Sequence, residues 1–238
     1  MSQKQNLRSW ILFEDDNYIV VNKPPYVSTL EDRTSPINIS EISKAYHIEA
    51  QVCHRLDKET SGVLLIAKNP EAYRHAAMQF EKRTVEKIYH AVVEGVHEFK
   101  SEQVNASLIL TGKGKMVINQ REGKEATTYF STLGVYGNYS LIECKPVTGR
   151  MHQIRVHLAS LNAPIVNDEL YGGKPFYLSS VKRKYNLKRF TEERPLIQRF
   201  ALHAYSLSME GMDGKEVVYQ APYPKDFRVL VEQLEKNS

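Results

Sequence analysis

The stretch His54-Arg55-Leu56-Asp57-Lys58-Glu59-Thr60-Ser61-Gly62-Val63-Leu64-Leu65-Ile66-Ala67-Lys68 decides how this chain is read. Its first half gathers His, Arg, Asp, Lys, Glu, Thr and Ser. Its second half, Gly62 to Ala67, is a short apolar run of the kind that forms a buried strand. Reactive side chains often stand on a loop that a rigid scaffold holds in place. A solvated turn, with Asp57 accepting from nearby backbone N–H groups, would have the same composition.

Outward from this strand, the pattern alternates short strands with a few helices. Trp10–Phe13 and Tyr18–Asn22 read as a hairpin about Glu14-Asp15-Asp16-Asn17, and Lys23-Pro24-Pro25 stops the second run. A weak helix is predicted from Pro36 to Tyr46. A better one starts at Asn69-Pro70, with Asn69 as cap and Tyr73, Ala76, Ala77 and Phe80 on one face. Lys87–Glu94, Val104–Leu110, Ala126–Leu133, Tyr139–Cys144, Phe200–Met209 and Glu216–Tyr219 read as strands. Met151–Leu161 and Phe227–Leu234 read as helices. Strands in hairpin-like succession with scattered helices indicate an α+β fold with a largely antiparallel sheet.

Two further segments are dense in chemistry. Thr148-Gly149-Arg150-Met151-His152-Gln153-Ile154-Arg155-Val156-His157, if helical, puts His152, Arg155 and Gln153 on neighbouring faces. It reads equally as a basic amphipathic helix with solvated Arg and His. His152 and His157 are five apart, not the four of a zinc helix, so a metal site is not expected. Lys87-Ile88-Tyr89-His90-Ala91 places Lys87, Tyr89 and Ala91 on one side of a strand. There Tyr89 either packs or offers a ring for a base to stack on.

The 238 residues carry 32 Lys+Arg against 28 Asp+Glu, a net charge of +4, with 42% hydrophobic residues. These are ordinary globular values and exclude a largely disordered or collagen-like chain. No apolar run approaches the roughly 20 residues of a membrane span. Met1–Ser9 lacks the apolar core of a secretory signal, and Cys53 and Cys144 are too few and too far apart for a disulfide framework. A cytoplasmic location is expected. Neither G-x-G-x-x-G nor the G-x-x-x-x-G-K-[ST] phosphate loop occurs, so nucleotide-cofactor chemistry is not expected. Residues 174–200 hold eight basic side chains (Lys174, Lys182, Arg183, Lys184, Lys188, Arg189, Arg194 and Arg199) against Glu192 and Glu193, a local net charge of +6. Phe176, Tyr177, Tyr185 and Phe190 are interleaved among them. The segment reads as an RNA-backbone contact through Lys182, Arg183, Lys184, Lys188 and Arg189, or as a solvated surface insertion.

Together the three segments resemble the RluA-type RNA pseudouridine synthases. The pattern H-R-L-D-x-x-T-S-G-x-x-x-x-A-K is complete from His54 to Lys68. K-x-Y-x-A-x-V-x-G is met by Lys87, Tyr89, Ala91, Val93 and Gly95, and T-G-R-x-H-Q-I-R-x-H by Thr148 through His157. The resemblance covers roughly residues 10 to 230. The chain departs from it at Asn167, where Gly usually precedes Asp168, at Val27–Glu31 and at Met209-Glu210. The S4 module that many relatives carry is not expected here.

The resemblance implies the pseudouridine-synthase fold, with flanking helices on the mixed sheet and a central RNA-binding cleft. It implies one catalytic domain over residues 10–238, as two lobes sharing a sheet after a tail of residues 1–9. It implies isomerisation of uridine to pseudouridine in structured ribosomal or transfer RNA, with no cofactor and no metal, by a monomer. Asp57 is then the catalytic carboxylate, as nucleophile or as stabiliser of the detached sugar. Arg155 is the cation that keeps it ionised, and Tyr89 packs on the uracil and relays the C5 proton. Base flipping would use Arg55 to fill the vacated stack, with His54 beside the extruded nucleotide. Leu56, Thr60, Lys87, Arg150, His152 and Gln153 complete the substrate site. The other readings are an RNA-binding module without catalysis and a glycoside hydrolase using Asp57 with Glu59.

Overall fold

The computed structural model describes residues 6–31, 37–112, 114–183, 185–187 and 191–238. In chain order the elements are β1 (Ile11–Glu14), β2 (Tyr18–Lys23), α1 (Ile39–Tyr46), β3 (Gln51–Val52), β4 (Ser61–Ala67), α2 (Pro70–Glu81) and β5 (Glu86–Glu94). There follow β6 (Glu102–Asn105), β7 (Leu108–Leu110), β8 (Met116–Ile118), β9 (Thr127–Tyr136), β10 (Tyr139–Pro146), α3 (Gln153–Ser160), β11 (Leu202–Glu210), β12 (Glu216–Gln220) and α4 (Lys225–Asn237). The pairs β1–β2, β2–β4, β3–β4, β5–β10, β9–β10, β6–β9, β7–β8 and β11–β12 are antiparallel, in keeping with the largely antiparallel sheet expected from the hairpin-like succession. The chain forms two compact units, Met1–Ile88 with Ala204–Pro222, and Tyr89–His203 with Tyr223–Ser238. Their boundaries fall inside β5 and β11.

The first unit is built on β4, buried at every position. Such a strand needs apolar side chains on both faces, which is why Val63–Ala67 shows no polar alternation. β2 pairs with it from Tyr18↔Ala67 to Lys23↔Gly62. At its start a Cβ on Gly62 would lie 2.0 Å from the carbonyl oxygen of Ala204, and Gly62 has φ +118°. Only glycine fits there. The expected α2 forms with the expected cap, the Asn69 side chain accepting from Ala72 N at 2.8 Å and Pro70 in the first turn, but its buried face is turned from the predicted one: Tyr73 is exposed and Ala72 is buried. Its small residues Ala72 and Ala76 meet Tyr18, Val20, Val63 and Leu65 in the core. In α1 the cap is Asn38, which accepts from Glu41 N at 3.0 Å; the expected start at Pro36 lies outside the described residues. Trp10 is not in the strand predicted for it. It ends a 3-10 turn, Leu7–Trp10, whose Leu7 is buried, so ordered structure begins within the segment expected to be a tail.

In the second unit, β10 pairs with β5 from Tyr139↔Glu94 to Cys144↔Tyr89, and with β9 on its other edge; β6 then pairs β9. Its core joins Val92, Phe130, Ile142, Leu158, Ile165, Phe176, Phe227 and Leu230. α4 contributes Phe227, Leu230, Val231 and Leu234, a single stripe at helical spacing. The single strand predicted over Val104–Leu110 is two. The chain leaves β9 after Asn105, and β7 pairs with β8 as a separate hairpin. Thr111 closes its turn, its hydroxyl donating to Lys115 O at 2.8 Å.

Candidate active site

Four features hold the loop that carries Asp57. First, β3 ends at Val52, and Cys53 N still donates to Leu65 O at 2.9 Å. The His54 imidazole then replaces the backbone, its Nε2 accepting from Leu65 N at 3.1 Å. An accepting nitrogen carries no proton, and burial, with the nearby Lys87 ammonium, holds the His54 pKa down to about 3. The ring, tilted 5.0 Å from Phe80, therefore anchors the loop. Second, Thr29 Oγ1 donates to Leu56 O at 2.9 Å and accepts from Leu56 N at 3.1 Å. Third, Thr60 N donates to Asp57 O at 3.0 Å, closing the turn, and Thr60 is buried. Fourth, the Lys23 ammonium, 0% exposed, donates to Pro24 O, Val27 O and Lys58 O at 3.0, 2.9 and 3.1 Å. Against this frame Asp57 is partly exposed and Arg55 is exposed. Lys87, on β5, has its pKa lowered to about 8 by burial.

Lys23 was legible in the sequence only as the end of a strand. Lys23→Met keeps the volume of the side chain but leaves three carbonyl acceptors without this donor. It is expected to destabilise the protein by about 3 kcal/mol, measured as a lower urea midpoint with an unchanged slope.

The second unit holds the Thr148–His157 segment. The Gln153 side chain uses its whole hydrogen-bonding capacity within the protein. Oε1 accepts from Thr148 Oγ1 at 2.7 Å and Arg150 N at 2.9 Å. Nε2 donates to Thr127 O and Thr128 Oγ1, both at 2.9 Å. Gln153 thus shapes the turn from which Arg150 and His152 project. Arg150 Nε donates to Glu125 O at 3.0 Å. His152 adopts φ 53° just before α3 and lies 2.9 Å from Tyr171 Oη. That hydroxyl also accepts from Met116 N at 3.1 Å.

Arg155 is not on a solvated face. It is 6% exposed and gives Nε and Nη2 to the two carboxylate oxygens of Asp168, both at 2.7 Å. Its guanidinium lies 4.1 Å from the Phe200 ring centre and 4.9 Å from that of Tyr171. His152 and Arg155 therefore meet at Tyr171, a residue the sequence reading passed over. Asn167, the departure from the family pattern, has φ 64°. That conformation suits Gly, and Asn tolerates it better than other side chains do, so the substitution keeps Asp168 in place. Tyr89 is half-buried and packs on the core of this unit, opposite Cys144 on β10.

The basic segment needs correction in two places. Arg199 is buried, with Nε 2.7 Å from Asp226 Oδ2 and Nη1 3.1 Å from Leu202 O. It ties the first turn of α4 to β11 and has no charge to offer RNA. Phe176 is a core residue set edge-on against Tyr139 at 5.0 Å, not a stacking platform. Lys182 and Arg183 are exposed. Lys184, Lys188, Arg189 and Phe190 lie outside the described residues.

Residues 17–160 match the model of the RNA pseudouridylate synthase family. The chain is 33% identical over 238 residues to ribosomal large subunit pseudouridine synthase C of Haemophilus influenzae, covering 97% of this chain and 70% of that protein. It is 32% identical to ribosomal large subunit pseudouridine synthase D of Borreliella burgdorferi, covering 98% and 70%. Among solved structures, human RNA pseudouridylate synthase domain containing 4 superposes with a TM-score of 0.71 at 24% identity, covering 96% of this chain and 94% of that one. That likeness establishes the pseudouridine-synthase fold. With a family model spanning more than half of its length and these relatives along nearly all of it, the chain belongs to the RNA pseudouridylate synthases.

Proposed function

We propose that this enzyme modifies uridines of large-subunit ribosomal RNA, with Asp57 as its essential carboxylate and Tyr89 and Arg155 as its other catalytic residues. Pseudouridine forms when the C1′–N1 bond breaks, the uracil turns, and C5 bonds to C1′. C5 then gives up its proton and N1 takes one, so atoms and electrons balance without a redox partner. The carboxylate meets the electron-poor C1′ as the base departs. The observation that carries the reading is the Asp57 loop, held from His54, Leu56, Thr60 and Lys58 while Asp57 itself stays accessible. A preorganised carboxylate is what a positioned nucleophile requires. Arg55 would replace the flipped base, and Lys87, Arg150 and His152 would face the nucleotide and its phosphates. Among the described residues no helix is long and apolar enough to cross a membrane.

The names of the relatives favour ribosomal over transfer RNA. The test is tritium release from 5-tritiated uridine in large-subunit ribosomal transcripts and in transfer RNA transcripts. Release from the ribosomal transcripts is expected. Release from transfer RNA alone would overturn the substrate assignment.

A further inference from the structure

Tyr171 is buried, and its two ends serve different parts of one site. Its hydroxyl accepts from Met116 N on β8 at 3.1 Å and lies 2.9 Å from His152 Nδ1. Its ring stands edge-on to the His152 imidazole, 5.7 Å between centres. The Arg155 guanidinium and the Lys115 ammonium lie 4.9 and 5.2 Å from the centre of the same ring. The backbone of Tyr171 is held as firmly. Tyr171 N and Gly173 N both donate to Asp168 O, at 3.0 and 2.9 Å. A Cβ on Gly173 would lie 1.8 Å from Ile165 O, so the chain closes tightly behind the tyrosine. Asp168 thus grips Arg155 with its carboxylate and Tyr171 with its carbonyl oxygen.

His152 is partly exposed, adopts φ 53° and stands at the start of α3 without capping it through its side chain. A left-handed conformation costs free energy in a residue other than glycine, and here no cap hydrogen bond offsets that cost. The ring is directed to Tyr171 instead. A side chain in a sparsely populated backbone conformation, fixed by a rigid neighbour, is the pattern of a preorganised binding group.

We propose that Tyr171 is a positioning residue whose hydroxyl holds the His152 imidazole where it meets the RNA substrate. The proposal rests on the reading that His152 faces the bound nucleotide. A ring fixed before binding loses little side-chain entropy when RNA arrives, so the hydroxyl contributes affinity without touching RNA. The ring beside Arg155 does not need the hydroxyl, and the chemical step is therefore independent of it.

A double-variant cycle tests this through affinity for a ribosomal stem-loop, read by filter retention, and through tritium release. Tyr171→Phe keeps the ring and loses the hydroxyl, and His152→Ala loses the imidazole. Each is expected to raise Kd and KM about fivefold, with kcat of Tyr171→Phe within about twofold of the wild type. The double variant should also stand about fivefold above the wild type, not at the roughly twenty-fivefold of independent sites, because the hydroxyl acts through the imidazole. Additive losses, a single variant that binds like the wild type, or a fall in kcat with KM unchanged would overturn the proposal. Should Tyr171→Phe not fold, the wild type decides. On binding the stem-loop, the ring nitrogens of His152 and the hydroxyl-bearing carbon of Tyr171 should shift together in NMR spectra, and a Tyr171 signal unmoved by RNA would overturn the proposal. Absence of tritium release by the wild type would overturn the proposed reaction instead, and the affinity cycle would still decide Tyr171.

Discussion

Asp57→Asn is expected to lose more than about a thousandfold of the rate of tritium release while keeping its fold and its affinity for RNA. The side chain keeps its size and loses its charge, and an amide neither attacks C1′ nor balances positive charge growing there. The fold should survive because the loop is held through neighbours of Asp57. Leu56 is bonded by Thr29 and Lys58 O by Lys23, and the turn hydrogen bond of Asp57 comes from its backbone oxygen. Affinity measured by filter retention and the melting temperature should therefore stay near the wild-type values. Full activity in this variant would remove Asp57 from the mechanism. Loss of both folding and activity would make Asp57 a structural residue.

Arg155→Met should behave differently, with stability falling along with activity. The Asp168 side chain is 1% exposed and receives both of its ion-pair hydrogen bonds from Arg155. Removing the guanidinium strands a buried carboxylate, which costs about 3–5 kcal/mol. The flat stack between Phe200 and Tyr171 is lost as well. The double variant Arg155→Met with Asp168→Leu separates the two roles. Replacing a buried ion pair by apolar groups is often neutral, so urea denaturation should show stability largely restored. Tritium release should stay lost, because the guanidinium proposed for the catalytic site is absent. Restored activity in the double variant would make Arg155 purely structural.

These two cases mark what the sequence could and could not disclose. Local signals were read correctly where one segment contains its own cause. The apolar run 63–67 can only be a doubly buried strand, and Asn69-Pro70 caps and starts α2 within four residues. The hairpin of β7 and β8 escaped because each strand is three residues long, too short for alternation to register. One of the two readings of α3 was an amphipathic helix with a solvated basic face. It is buried along most of its length because Asp168, thirteen residues beyond Arg155, neutralises it. That partner is distant in sequence and adjacent in space.

The same holds for Lys23, whose acceptors are carbonyl groups that no residue type advertises. His54 was expected beside the flipped nucleotide. Its role in completing the β4 ladder depends on the point at which β3 ends. In the basic segment, counting charges overstated the surface available to RNA, since Arg199 is spent on Asp226. The residues proposed for the site come from three ordered motifs, whereas the side chains that hold the Asp57 loop carry no such signal in the sequence.

In the proposed reaction the enzyme returns the uracil to the same sugar. One measurement bears on it most directly: incubation with ribosomal RNA carrying 5-tritiated, ring-labelled uridine, followed by counting of tritium in water and of free uracil. One tritium should be released for each pseudouridine formed, with the ring label retained in the RNA. Free uracil in step with tritium-free water would show glycosidic hydrolysis and contradict it.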